Sequence, residues 1–245
     1  MNTKKHNAAA FLLLSAGFAL LLLVFCYVGH TVSREKEKSV IGKQNYTVIL
    51  DAGHGGEDGG ASSASGLVEK ELNLTIAMDV GAYLERCGIA VVYTRTEDIL
   101  LYDRNQDYQG HKKILDLAAR LKIARECENA VFVSIHMNAF PQKQYKGLQV
   151  YYSPNHPTSK VLAAAIQDNG QRYLDTENQR KIKKATSSIY LLDRLEKPAV
   201  LIECGFLSND AEAERLASRE YQKQLALVIG KSIAESLSPP SHQSQ

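Results

Sequence analysis

The chain has no tryptophan, and its 245 residues include only six prolines and four cysteines. Without tryptophan a carbohydrate-stacking module lacks its usual platform, although twelve tyrosines are available to stack in its place. Cys26, Cys87, Cys127 and Cys204 form no CxxC pair, which excludes a zinc ribbon and argues against a disulfide framework. Cys87 and Cys127 sit in or beside helical patterns and Cys204 lies in an apolar strand, so they read as small packing residues. There is no dinucleotide or Walker-type glycine loop and no HExxH metalloprotease helix. Charge of one sign is also missing. Lys and Arg number 29 against 27 Asp and Glu, a net charge of +2 spread along the chain. Nucleic acid is therefore not an expected partner.

One long hydrophobic run is present. Residues 8–28, AAAFLLLSAGFALLLLVFCYV, carry no charge, and about 20 apolar residues span a bilayer core. Lys4 and Lys5 precede the run, so the positive-inside bias places residues 1–7 in the cytoplasm and everything after residue 28 outside. No small-x-small cleavage site follows, and LVFC lacks the small residue that precedes a lipidated cysteine. The length favours a transmembrane anchor over a cleaved secretory signal. Residues 29–44 form a charged linker, residues 45–237 a single domain, and residues 238–245 a polar, Pro-containing tail expected to be disordered.

The domain alternates strand and helix. Expected strands are 46–51, 89–94, 130–136, 147–152, 188–192 and 199–204; expected helices are 71–86, 112–127, 158–173 and 211–236. Leu72, Ile76, Val80 and Leu84 form a stripe that makes the first helix amphipathic, a core face with no need of another role. The alternation implies an α/β fold: one mainly parallel sheet of about six strands, helices on both faces.

The chain is organised around YTVILDAGHGGEDGGA, residues 46–61. A buried strand through Val48, Ile49 and Leu50 ends at Asp51, and Gly53, Gly55, Gly56, Gly59 and Gly60 then surround His54. An imidazole held at a strand end suits a metal ligand. His136 ends AVFVSIH, a second apolar strand. Glu203 lies within AVLIECGF, where a buried carboxylate is costly unless it is paired, protonated or on a metal; Lys70 and Arg95 are the candidate ion-pair partners. Glu69, in GLVEKELNL, sits at the mouth of a helix, where the dipole alone favours an acid. Two histidines and one carboxylate leave an open position on zinc for water. A second carboxylate off the metal then serves as acid and base. Spacing leaves open which of Glu69 and Glu203 plays which part. Asn138 and Asn209 either orient substrate or cap turns, and His111 and His156 read as solvated surface.

DAGHGGEDGGA, GLVEKELNL, SIHMNA and IECGFLSN resemble, in order across residues 46–236, the four motifs of the zinc-dependent N-acetylmuramoyl-L-alanine amidases, the Amidase_3 family. The resemblance implies a single α/β domain around a six-stranded sheet. It also implies His54, Glu69 and His136 as ligands of Zn2+, Glu203 as catalytic acid/base, and hydrolysis of the amide between muramic acid and L-alanine in peptidoglycan. Asn138, Asn209 and Arg95 are candidates for substrate binding; Arg95, like Lys70, could meet Glu203 or stem-peptide carboxylates, and a structural role is the better reading of both. KGLQVYYSP and QRKIKKATSSIYLLDRLEKPAVLIECGFLSN are similar to the spore-cortex members of that family, which remove the stem peptide as the first step toward the muramic δ-lactam read in germination. That likeness implies action outside the cytoplasmic membrane, between mother-cell and forespore membranes, with a separate muramic acid deacetylase as partner, while the sequence leaves open whether an accessory protein assists. Arg125-Glu126 and Met137 depart from the usual family pattern and bear on substrate fit. A zinc peptidase cutting within the stem peptide, or a non-catalytic wall-binding protein, are the rival readings.

Overall fold

The computed structural model describes residues 46–103, 105 and 110–238, which belong to one compact unit, Ile41–Ser241. The expected cytoplasmic terminus, the 8–28 anchor, the linker to residue 44 and the tail beyond residue 238 lie outside the described residues. Among the described residues no helix is long and apolar enough to cross a membrane.

Three long strands form the middle of the sheet: β1 (Thr47–Ala52), β3 (Ala130–Asn138) and β6 (Ala199–Phe206). Each is an almost unbroken β-branched or aromatic run because both of its faces are covered. β2 (Val91–Tyr93), β4 (Gln149–Tyr152) and β5 (Lys183–Lys184) flank them in the order β2-β1-β3-β6-β4-β5. Every neighbouring pair is parallel except β4 against β6. The cause is the connection: residues 139–148 between β3 and β4 hold no helix, and so short a link returns the chain antiparallel.

Helices α1 (Glu69–Arg86), α3 (Pro157–Tyr173) and α6 (Arg219–Leu237) cover one face. Leu72, Ile76, Val80 and Leu84 of α1 meet Val48, Leu50, Val131, Val133 and Ile135 there, as the sequence stripe implies. On the other face α2 (Lys112–Glu126) and the short α4 (Tyr190–Arg194) pack Leu121, Ala124, Leu191 and Leu192 on Ile49, Phe132 and Ala199. α5 (Asp210–Ala217) precedes α6.

Two expectations are corrected. The apolar run 188–192 is helical: α4 spans Tyr190–Arg194, and a run so short carries no period that separates helix from strand. The sixth strand is Lys183–Lys184, two exposed lysines with no apolar signal. The helix expected over 211–236 is two helices. Ser218 takes an extended ψ of 122° between them, and Gln222 Nε2 bonds the Leu216 carbonyl across the break at 2.7 Å.

Candidate metal centre

The carboxyl ends of β1, β3 and β6 lie side by side, so residues scattered through the sequence converge there, where open α/β sheets keep their ligand sites. His54 follows β1 in a left-handed conformation, φ 61°, a cost that a side chain without a job at that spot has no reason to bear. Gly53 before it passes under the His136 ring. A Cβ at Gly53 would stand 2.2 Å from His136 Nε2, so only glycine lets the strand end approach the second imidazole. At Gly60, φ 68°, a Cβ would meet Glu69 Oε2 at 2.5 Å. Glu69 is the first residue of α1, brought back to the site by the Ser62–Val68 bridge and by its own N–H bonded to the Ala61 carbonyl at 2.9 Å.

Glu69 Oε1 lies between the imidazoles, 2.9 Å from His136 Nδ1 and 3.2 Å from His54 Nε2. One ligand atom from each of the three residues falls within 4.8 Å of the other two. The donors are two imidazole nitrogens and one carboxylate oxygen, the set that zinc takes when a position is left open. Met137 N–H (3.1 Å) and Asn73 Nδ2 (3.4 Å) also donate to Glu69 Oε1, and Ala61 N–H donates to Oε2 at 2.7 Å. Burial pushes the Glu69 carboxyl up, but His136 and His54 outweigh it and hold the group well below the ordinary carboxylate range. Asp58 Oδ2 sits 2.9 Å from His54 Nδ1, which turns Nε2 toward Glu69. The negative charge behind the ring favours a proton on Nδ1 and leaves Nε2 to the cluster.

Glu203 stands beside this cluster. It pairs in register with His136 across β3 and β6, on the same face of the sheet. Its Oε2 is sealed from solvent and has no hydrogen-bond partner. Burial and the charge of Glu69 raise its pKa, against the pull of His136 and His54. An orphaned carboxylate oxygen beside a metal-type cluster is the place for a proton acceptor facing a polar ligand.

Behind the site two arginines hold the strand end. Arg120 on α2 donates to Asp51 Oδ1, Asp116 Oδ2 and the Ala52 and His54 carbonyls, each at 2.7 Å. Asp51 also accepts from Thr94 and Ser134 (2.7 and 2.6 Å). Burial would raise Asp51, yet Arg120 and these donors bring it below its usual value. Arg95 donates to the carbonyls of Ala52 (2.9 Å), Gly53 (3.0 Å), Lys70 (2.8 Å) and Glu97 (3.0 Å).

The sequence pattern of the family described as N-acetylmuramoyl-L-alanine amidase matches residues 48–235. The chain belongs to that family. The amidase is 36% identical over 230 residues, 94% of each chain, to the germination-specific N-acetylmuramoyl-L-alanine amidase of Bacillus subtilis. It is similar to the CwlD amidase of Clostridioides difficile, solved in complex with the GerS lipoprotein: TM-score 0.74, 39% identity, 78% of this chain and 98% of that one. The amidase AmiC2 of Nostoc punctiforme matches with TM-score 0.64 and 34% identity over 78% and 97% of the two chains.

In this amidase the remaining candidate residues are placed differently from the cluster. Arg95, 3% exposed, gives four donors to backbone carbonyls and pairs with neither Glu203 nor solvent-facing anions. Lys70 binds Asp98 (2.6 Å) and the Gly56 carbonyl (2.8 Å). Asn209 is the N-cap of α5: its Oδ1 accepts from Glu212 N–H at 3.0 Å and its Nδ2 donates to the Lys143 carbonyl at 2.8 Å. Asn209→Ala should therefore cost about 1 kcal/mol of stability and leave kcat/KM unchanged; a loss confined to KM would return it to the substrate. Asn138 ends β3, half-buried, two residues past His136. His111 precedes α2, exposed, and His156 caps α3 through Nδ1 (3.3 Å from Thr158 N–H). Cys204 is buried, its thiol pushed far up by that burial, while Cys87 is exposed instead of packed. Sequence reading missed Asp58, Asn73, Asp116 and Arg120. Asp116 and Arg120 offered an i,i+4 pair on one helix, indistinguishable there from a surface ion pair.

Proposed function

We propose that the chain hydrolyses the amide between N-acetylmuramic acid and L-alanine with one Zn2+ held by His54, Glu69 and His136. The convergence of these three side chains supports this reading more than any other observation. Bound there, zinc supplies Lewis-acid chemistry, polarising a carbonyl and making water acidic near neutral pH. The chain's residues do the rest. Glu203, in no ion pair and with a raised pKa, takes the proton of the attacking water on its carboxylate and returns it to the departing alanine nitrogen. Asp58 and Glu69 fix the imidazoles, while Arg95 and Arg120 immobilise the backbone that carries His54.

The likeness to a germination-specific amidase supports removal of stem peptides in spore cortex, toward muramic δ-lactam, with a separate deacetylase completing the lactam. The Clostridioides difficile relative was solved with a lipoprotein, which supports an accessory lipoprotein as partner. Action outside the membrane, with residues 8–28 as anchor, fits both. Metal content tests the proposal. Wild type should carry about one zinc per chain, and His54→Ala should lose both the metal and the activity. Wild-type activity surviving complete chelation would overturn it.

A further inference from the structure

Beyond the cluster, the same face of the sheet continues sideways. His136 pairs with Glu203 across β3 and β6, and Glu203 pairs with Gln149 across β6 and β4. Paired residues lie on the same face, so these side chains form one row. Gln149 Oε1 accepts from Arg180 Nη1 at 2.9 Å, which extends the row by one guanidinium.

Arg180 lines a cleft of about 330 Å³ with Tyr145, Lys146 and Glu177. Its Nε donates to the Lys146 carbonyl at 2.6 Å, and its Cζ lies 4.4 Å from the centre of the Phe206 ring and 5.9 Å from that of Tyr145. Two acceptors and an aromatic bed fix the guanidinium, leaving its second terminal nitrogen, Nη2, with no hydrogen-bond partner among the described residues. No carboxylate among them pairs with it, and Glu177 across the cleft makes no ion pair with it. Lys146, in the same cleft, is likewise in no ion pair among the described residues. A half-buried, pre-oriented fork without a counter-ion is built for a carboxylate.

The geometry points to Arg180, assisted by Lys146, as the subsite for a carboxylate of the peptide being released. This rests on the amidase reading. Gln149 stands one antiparallel strand spacing from Glu203, about 5 Å between Cα atoms, and Arg180 lies one side-chain hydrogen bond beyond it. Arg180 is a specificity residue here: it holds the leaving peptide and moves no proton.

The test uses the zinc-loaded full chain and two muramyl peptides, identical except that the stem carboxylates of one are carboxamides. Wild type should favour the acid substrate about 10- to 100-fold in kcat/KM, chiefly through KM, the range of a charged hydrogen bond. Arg180→Met should erase that preference by slowing the acid substrate alone. Lys146→Met, which leaves the Phe206 stacking intact, should reduce it in the same direction. Equal slowing of both substrates by Arg180→Met, or no preference in wild type, overturns the subsite and leaves the amidase standing. Hydrolysis of neither substrate overturns the amidase reading, and the subsite with it.

Discussion

Glu203→Gln should lower turnover by about 10²- to 10⁴-fold, the usual worth of a positioned acid–base group, and leave one zinc per chain in place. Glutamine keeps the volume of the side chain but accepts no proton. The carboxylate it replaces makes no hydrogen bond or ion pair with either imidazole, so the cluster of His54, Glu69 and His136 does not need it. Its Oε2 is sealed and unpartnered, and burial beside Glu69 raises its pKa, which makes it a stronger proton acceptor than an exposed carboxylate. Folding should survive the change, since removal of an unpaired buried charge is neutral or stabilising. Turnover close to wild type would take Glu203 out of the mechanism. Loss of zinc together with turnover would make it a ligand instead.

Arg120→Met should destabilise the fold by about 3–5 kcal/mol, the cost of breaking a buried ion pair from one side. In a domain of this size that is a fall in Tm of roughly 10 °C. Arg120 is 1% exposed and bonds two aspartates and two carbonyls, so its loss strands Asp51 and frees the His54 carbonyl. Activity should fall as well, because His54 loses its anchor. The pH dependence has a definite sign. Asp51 is depressed in the fold, so its ion pair stabilises above the unfolded-state pKa near 4 and is lost as pH falls through the lowered value. The gap between variant and wild type should therefore be widest at neutral pH and narrow on acidification. A constant gap across that range would mean that the lost packing of Arg120, and not its charge, sets the cost.

The parts of the fold legible in the sequence were those governed by burial alone. β1, β3 and β6 announce themselves because both faces are covered and nearly every position is apolar until the chemistry begins. β5 does not, since two exposed lysines at a sheet edge owe their strand to pairing with Tyr151 and Tyr152. The polar interruptions at His54, His136 and Glu203 were visible against those runs. The roles of Glu69 and Glu203 came from the family resemblance and not from spacing, since their approach to His54 and His136 depends on α1 folding back over residues 61–68 and on the register between β3 and β6. Arg120 and Asp51 stand 69 positions apart, and no local pattern links them. For Arg95 the sequence offered an ion pair, a substrate contact or a structural role, and the fold shows it bonded to four carbonyls at and beside the turning end of β1.

Digestion of purified peptidoglycan by the full chain, with zinc and with chelator, tests the account most directly when the products are read by mass spectrometry. Free stem peptides beginning in L-alanine, present with zinc and absent with chelator, are the expected result. Cuts between stem amino acids, or products unchanged by chelation, would contradict it.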